Sequence, residues 1–358
     1  MTPSLDPPDP ALDRGGMTAR IRDIPLQIED ALARLDRAPW RLAGAAPDRL
    51  AVGAMGGSAI AADLCATLYG DRLPHPLIAV RDYRWPAWVG PSTLAVLASY
   101  SGDTEETLAL YRGAGERGAA RAALTTGGTL AAWCERDGVP CLRMPGGAPP
   151  RAAMYGAWVG MTALLHALGW IDDPHPHWRR AATRVREGES RFGAAVPERD
   201  NPAKRLARGL AGRHVVVYAG ARRLGAMATR YLQQLNENAK VSGHSALVPE
   251  LNHNEIVGWE KPGAALRGAA VLLLHDPEDD PAVRVRLELT AEYVERQGAT
   301  VHVITPGEGE RLERLAELAQ FGDYLSLYLA FLSGVDPTPI ASIDEFKRRL
   351  AERGSAPA

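Results

Sequence analysis

LAVGAMGGSAIAADLCATLYG (residues 50–70) and HVVVYAGARRLGAMATRYLQQ (residues 214–234) can be laid one over the other. Each opens on a short apolar run, passes through a turn carrying glycine, and continues as a long stretch of helical spacing. That is the grammar of a strand and its crossover helix, and its recurrence is a weak internal repeat pointing to two related α/β domains. Outward from the first copy, short apolar runs predict strands at Leu50–Ala54, Leu77–Arg81, Leu94–Ser99, Arg121–Thr125 and Pro140–Met144, with helices around 58–70, 104–117 and 129–137. Outward from the second, strands are expected at His214–Tyr218, Ala270–Leu274 and Thr300–Thr305, with helices around 222–240, 281–297, 309–333 and 343–352. Strands this short and apolar read as parallel sheets covered by helices on both faces.

The 358 residues suffice for about two domains. We expect a disordered, proline-rich tail over 1–17, a first domain over 18–194 and a second over 195–358, with the pattern restarting near Val196. The tail lacks the apolar stretch of a signal peptide or anchor. The run from Ala152 to Trp170 holds three glycines and His166, and reads as a buried helix, not a membrane span. With 41 basic and 43 acidic side chains the formal charge is -2, so no general nucleic-acid surface is expected. Three cysteines without a C-x-x-C pair argue against a disulfide framework and for a reducing, cytoplasmic setting. His175-Pro-His177 has no neighbouring ligand, the spacing H-E-x-x-H is absent, and no metal site is expected.

Three stretches carry more chemistry than a core or a solvated face requires. Gly53-Ala54-Met55-Gly56-Gly57-Ser58 lies at a strand end opening a helix, where glycine lets a ligand approach the backbone and the helix terminus favours an anion. It has neither the dinucleotide glycine spacing nor the lysine of a P-loop, and it reads equally as a tight turn with Ser58 as helix cap. Ser99-Tyr100-Ser101-Gly102-Asp103-Thr104-Glu105-Glu106-Thr107 follows another apolar strand. Its hydroxyls at Ser99, Ser101 and Thr104 can converge with backbone N–H groups on one phosphate, or Asp103 and Glu106 can form a capping box. The third stretch is Asn236-Glu237-Asn238-Ala239-Lys240 with Pro249 to Trp259, where Asn, His and Glu are packed among apolar residues too densely for an ordinary face.

Together these residues resemble the bifunctional phosphoglucose/phosphomannose isomerases of the sugar-isomerase (SIS) domain family. The resemblance rests on Ala54–Ser58, the run at 99–107, Pro149-Pro150-Arg151, NENAK at 236–240, LNHNEIVGW at 251–259 and GVDPTP at 334–339, and so spans nearly the whole folded chain. It implies two SIS domains, each a three-layer α/β/α unit with a parallel sheet flanked by helices, and an active site between them completed in a homodimer. The substrate implied is a phosphorylated hexose, isomerised between glucose or mannose 6-phosphate and fructose 6-phosphate without metal, nucleotide, nucleic acid or membrane. The family's phosphate-binding positions fall on Ser58, Ser99, Ser101 and Thr104, its backbone approach on Gly56 and Gly57, and its arginine beside the reacting carbons on Arg151. Its catalytic carboxylate falls on Glu237, its ring-opening histidine on His253, an assisting lysine on Lys347, and the threonine that makes room for the mannose epimer on Thr338. Where the family has asparagine this chain has Asp103, whose carboxylate either faces the phosphate, weakening its binding, or turns away as a helix cap. Two other readings stay open at the sequence level: a sugar-phosphate binding or regulatory protein without turnover, and an isomerase of another phosphosugar.

Overall fold

A computed structural model describes every residue except 1–3, 43, 45, 265 and 354–358, so the extreme ends of the expected tail and of the expected second domain lie outside the described residues. In chain order the first half comprises α1 (Met17–Arg22), α2 (Ile24–Arg37), β1 (Arg49–Ala54), α3 (Gly56–Tyr69), β2 (Leu77–Val80), β3 (Thr93–Ala98), α4 (Glu105–Glu116), β4 (Ala120–Thr125), α5 (Gly128–Asp137), β5 (Cys141–Arg143), α6 (Met154–Ala167) and α7 (His175–Phe192). The second half comprises α8 (Pro202–Leu210), β6 (Val215–Gly220), α9 (Ala221–Ala239), β7 (Gly243–Val248), β8 (Ala270–Leu274), α10 (Pro281–Arg296), β9 (Thr300–Ile304), α11 (Arg311–Leu332) and α12 (Ala341–Glu352).

Each half builds one sheet, ordered β2-β1-β3-β4-β5 and β7-β6-β8-β9, and every neighbouring pair is parallel. The central strands β3, β6 and β8 are buried at every residue, which is why they read as unbroken apolar runs. β7 was not expected from sequence. It is an edge strand, GHSALV, half-exposed along most of its length, so it carries neither an apolar run nor alternation. α8, also unexpected, is short and is set by Asn201, whose side chain accepts from the N–H groups of Ala203 and Lys204 ahead of Pro202. α6 is buried from Met154 to Leu165, as its composition suggests. Among the described residues no helix is long and apolar enough to cross a membrane.

The chain forms two compact units. Residues 25–179 and 340–358 make one, and residues 1–24 and 180–339 the other. The segment read from composition as a tail is therefore counted with the second unit, and the reason is a buried cation. Lys204 is fully buried, and its ammonium donates to the Leu5 carbonyl at 2.8 Å, the Asp6 carboxylate at 2.8 Å and the Ala194 carbonyl at 2.9 Å. A buried ammonium needs such acceptors, and Leu5 is fully buried beside them. The Asp6 carboxyl is held below its usual range first by its hydrogen bond from Lys204 and then by the Glu198 N–H.

Within the second unit α9 packs directly on α11. A Cβ at Gly322 would lie 2.7 Å from the Tyr231 ring, so the close approach requires glycine there, and the Tyr231 hydroxyl donates to the Leu318 carbonyl at 2.8 Å. Beside this contact, Arg230 pairs with Asp323 at 2.8 Å, the Gln234 amide donates to the same carboxylate, and Asn238 donates to Ser326 at 3.0 Å. These groups are almost wholly buried, so any slip of one helix along the other strands charge in the core. Asp323→Ala, which leaves Arg230 buried without this partner, is expected to cost about 3–5 kcal/mol of stability, read as a lower urea midpoint.

Candidate active site

The first sheet winds in two directions from its middle. β1 passes through α3 to β2 on one side, whereas β3 passes through α4, β4 and α5 to β5 on the other. The carboxyl ends of the adjacent strands β1 and β3 are therefore left uncovered, as a topological switch point where ligands of open α/β sheets bind. Ala54 pairs with Ala98 in register, so the loops that follow, 55–58 and 99–104, stand side by side. Both run into helix N-termini that favour an anion.

Gly56 adopts φ +49, and α3 begins there with Met55 as its cap. Ser58 lies inside the first turn and does not cap the helix. A Cβ at Gly57 would stand 3.1 Å from the Pro150 carbonyl oxygen and 3.4 Å from the Arg151 Cα. Gly57 thus admits the 3-10 turn Pro150–Ala152, which buries Arg151 to 2% exposure against the start of α3. A second tie comes from Tyr100, whose hydroxyl accepts from the Ala148 N–H at 2.9 Å. The serine loop and the arginine segment are in this way held to one another.

The Ser99 and Thr104 hydroxyls are 2.8 Å apart, and the Gly102 N–H donates to Ser99 at 3.1 Å. The Ser101 hydroxyl accepts from the Asp103 N–H at 3.2 Å. Gly102 has φ +79, and a Cβ there would meet the Gly127 carbonyl oxygen at 1.9 Å, so the loop closes only with glycine. The Asp103–Glu106 capping box, the alternative open at the sequence level, does not form, for α4 is capped by Thr104 without a side-chain bond. Asp103 turns instead to the next helix, where its carboxylate accepts from the Thr129 N–H at 2.9 Å in the first turn of α5. The Leu130 N–H donates to the Gly102 carbonyl at 2.9 Å alongside. Of the two orientations open at the sequence level, the carboxylate adopts the capping one, and it serves α5. Asp103→Ala is expected to lower stability by about 1 kcal/mol, and Asp103→Asn, which keeps an acceptor, by much less, both measured by urea unfolding.

In the second unit Glu237 lies half-buried near the end of α9. Lys240 closes that helix in a left-handed conformation, φ 58, and its ammonium donates to the Glu237 carbonyl at 2.6 Å and to the Pro339 carbonyl at 2.7 Å. This brings the GVDPTP segment to the end of α9. Thr338 lies in that segment with its side chain packed on Gly15, where a Cβ would fall 2.2 Å from the threonine hydroxyl. His253 is exposed at the end of a 3-10 turn, Glu250–His253, that follows β7. Lys347, expected in the second domain, lies instead on α12, which is counted with the first unit and buries no residue, and it is exposed there.

A polar chain supports the His253 segment. The Trp259 indole donates to the Tyr218 hydroxyl at 2.9 Å, Tyr218 donates to the Glu255 carboxylate, and His244 bonds the same oxygen at 2.9 Å. Tyr218 and His244 come from neighbouring strands β6 and β7, so the sheet itself fixes the loop after β7. Sequence reasoning missed both, because each takes its meaning from strand pairing and not from any local motif. Burial pushes the Glu255 carboxyl up, but the hydrogen bonds from His244 and Tyr218 together outweigh it and hold the group below its usual value. A carboxyl with a lowered folded pKa contributes stability above its unfolded pKa and loses it as pH falls through the folded one. Thermal melts should therefore show Glu255→Gln less stable than wild type at pH 7, the gap closing as the pH falls below about 4.5.

Two parallel α/β sheets, one with a hydroxyl-bearing loop at its switch point, define a double SIS-type protein. The family described as "Bacterial phospho-glucose isomerase C-terminal SIS domain" matches residues 199–350. The chain is 36% identical over 305 residues to the "Bifunctional phosphoglucose/phosphomannose isomerase" of Caldicellulosiruptor bescii, covering 85% of this chain and 90% of that one. It is 30% identical over 299 residues to the protein of the same name from Aquifex aeolicus, covering 83% and 88%. It therefore belongs to the bifunctional phosphoglucose/phosphomannose isomerase family. The crystal structure of a hypothetical protein from Thermus thermophilus shares the fold, with a TM-score of 0.73 at 16% identity over 95% of this chain and 91% of that one.

Proposed function

We propose that the protein is an aldose–ketose isomerase that converts glucose 6-phosphate and mannose 6-phosphate to fructose 6-phosphate and back through a cis-enediol. The observation that carries this reading is the cradle of Ser99 and Thr104, 2.8 Å apart, beside the buried Arg151 at the switch point. In this reading the 6-phosphate takes N–H groups from the starts of α3 and α4 and hydroxyls from Ser58, Ser99, Ser101 and Thr104, with Gly56 and Gly57 allowing the approach.

The hexose arrives as a closed ring, so a proton first moves between the ring oxygen and O1. An imidazole can both give and take a proton, and in this reading that step falls to His253, with Lys347 assisting. Glu237 then takes the C2 proton of the open aldose and returns it at C1, and the accompanying hydroxyl proton passes between O1 and O2. Negative charge develops on the enediolate oxygens, and the Arg151 guanidinium stabilises it more in the transition state than in the ground state. Glucose and mannose 6-phosphates differ only at C2 and share one enediol, so a site with room at that carbon, which this reading gives to Thr338, serves both. No electron leaves the sugar, and the side chains suffice without a cofactor. The same reading makes the enzyme a cytoplasmic homodimer with sites completed across the interface.

Purified protein in excess chelator should form fructose 6-phosphate from either sugar phosphate. Glu237→Gln should lower kcat by at least about 100-fold while leaving sugar-phosphate binding, measured by calorimetry, largely intact. Fructose 6-phosphate from neither substrate, or full turnover by Glu237→Gln, overturns the reading.

A further inference from the structure

Among the described residues, Lys240 is the one residue other than glycine whose backbone is left-handed, with φ 58 and ψ 29. It closes α9, where its own N–H and that of Val241 both turn back to the Leu235 carbonyl, the second at 3.2 Å. Glycine is the usual occupant of such a helix end, because an L side chain there crowds the following carbonyl oxygen. A helix that needed only to stop would be better served by glycine. What lysine adds is its ammonium, which donates to the Glu237 carbonyl at 2.6 Å and, 99 positions on, to the Pro339 carbonyl at 2.7 Å. Strain at a helix end and a strap across the unit thus meet in one residue.

Pro339 directly follows Thr338, and the segment holding both is fixed at three further points. The Val335 N–H donates to the Ala330 carbonyl at 3.0 Å, which ties the segment to the end of α11. The Thr338 N–H donates to the Asp336 carboxylate at 2.8 Å, which sets the local turn. Gly15 presses on the threonine side chain so closely that a Cβ there would fall 2.2 Å from its hydroxyl oxygen. The Lys240 ammonium joins this segment to the last turn of α9, three residues from Glu237.

We propose that Lys240 is a positioning residue that sets the preference between the two C2 epimers, by holding the Thr338 segment at a fixed spacing from Glu237. The inference rests on the reading above, in which Glu237 takes the proton at C2 and Thr338 gives the room at that carbon. The epimers differ in the direction of one hydroxyl, so a small displacement of the pocket wall relative to the base changes their relative rates. Mannose 6-phosphate, the epimer that needs the room, depends on that spacing more than glucose 6-phosphate does. The strap touches none of the residues assigned to the phosphate, so its loss acts on kcat and leaves KM nearly unchanged.

The test compares the full-length protein with two variants. Lys240→Gly relieves the left-handed backbone and removes the ammonium, whereas Lys240→Met keeps an unbranched stem and removes the donors. In both, kcat for mannose 6-phosphate should fall at least about fivefold further than kcat for glucose 6-phosphate, with KM within about twofold of wild type. Lys240→Gly should nevertheless melt at or above the wild-type temperature, since glycine suits the helix end. Thr338→Gln, which fills the room directly, should shift the same ratio. If wild type does not convert both sugar phosphates, or if Thr338→Gln leaves the ratio unchanged, the reading falls and the inference falls with it. If Thr338→Gln shifts the ratio while Lys240→Gly and Lys240→Met do not, the reading stands and the inference alone is overturned. If Lys240→Gly loses activity only in step with thermal stability, and Lys240→Met keeps the wild-type ratio, Lys240 is a helix end and nothing more, which also overturns the inference.

Discussion

The structure of the first unit depends on one constraint, the reversal of winding between β1 and β3. Right-handed crossovers carry α3 away to one side and α4 to the other, so no helix covers the carboxyl ends of the two middle strands. Two helix N-termini stand there side by side, and the loops that lead into them are rich in glycine and hydroxyl side chains. Gly56, Gly57 and Gly102 are there for steric reasons, the Pro150 and Gly127 carbonyls standing where a side chain would go in the last two cases. The hydroxyls of Ser99 and Thr104 lie in one of these loops, at the carboxyl end of β3.

The second unit repeats the winding but not the opening. Between β6 and β8 the corresponding crevice meets Asp279, whose carboxylate lies where a Cβ on Gly220 would be 2.8 Å away and is itself largely buried. That loop is built from acidic groups and held by Arg223 and Arg314, so it suits no phosphate. The acid–base residues of the proposed reaction come from the outer parts of this unit, Glu237 from the end of α9 and His253 from the turn after β7.

Placement of those two residues rests on buried polarity. Arg230, Gln234 and Asn238 line the face of α9 toward α11 at four-residue intervals, and Asp323 and Ser326 answer them. Such pairs add little net stability over apolar packing, but they penalise every other register. Tyr218 and His244 do the same for Glu255 and hence for the turn bearing His253. A proton-transfer group needs its position fixed to a fraction of a bond length, and neither an apolar helix face nor an exposed loop supplies that alone.

Local sequence was enough to determine the alternation of strands and helices, the two-fold grammar and the residues of the serine loop, because each is written in spacing of 2 or 3.6 residues or in glycine at a strand end. The buried centres of both sheets were legible for the same reason. The edge strand β7 was not, since a half-exposed strand holding glycine, histidine and serine draws its identity from its hydrogen-bonded neighbour β6. Nor was the attachment of residues 4–16, which follows from Lys204 needing oxygens some 200 positions away in sequence. Only the tertiary structure decided that Asp103 caps α5 and not its own helix, and that Tyr100 ties its loop to the Arg151 segment. Each of these is a contact between groups whose partners are chosen by strand order, and strand order is a property of the folded sheet.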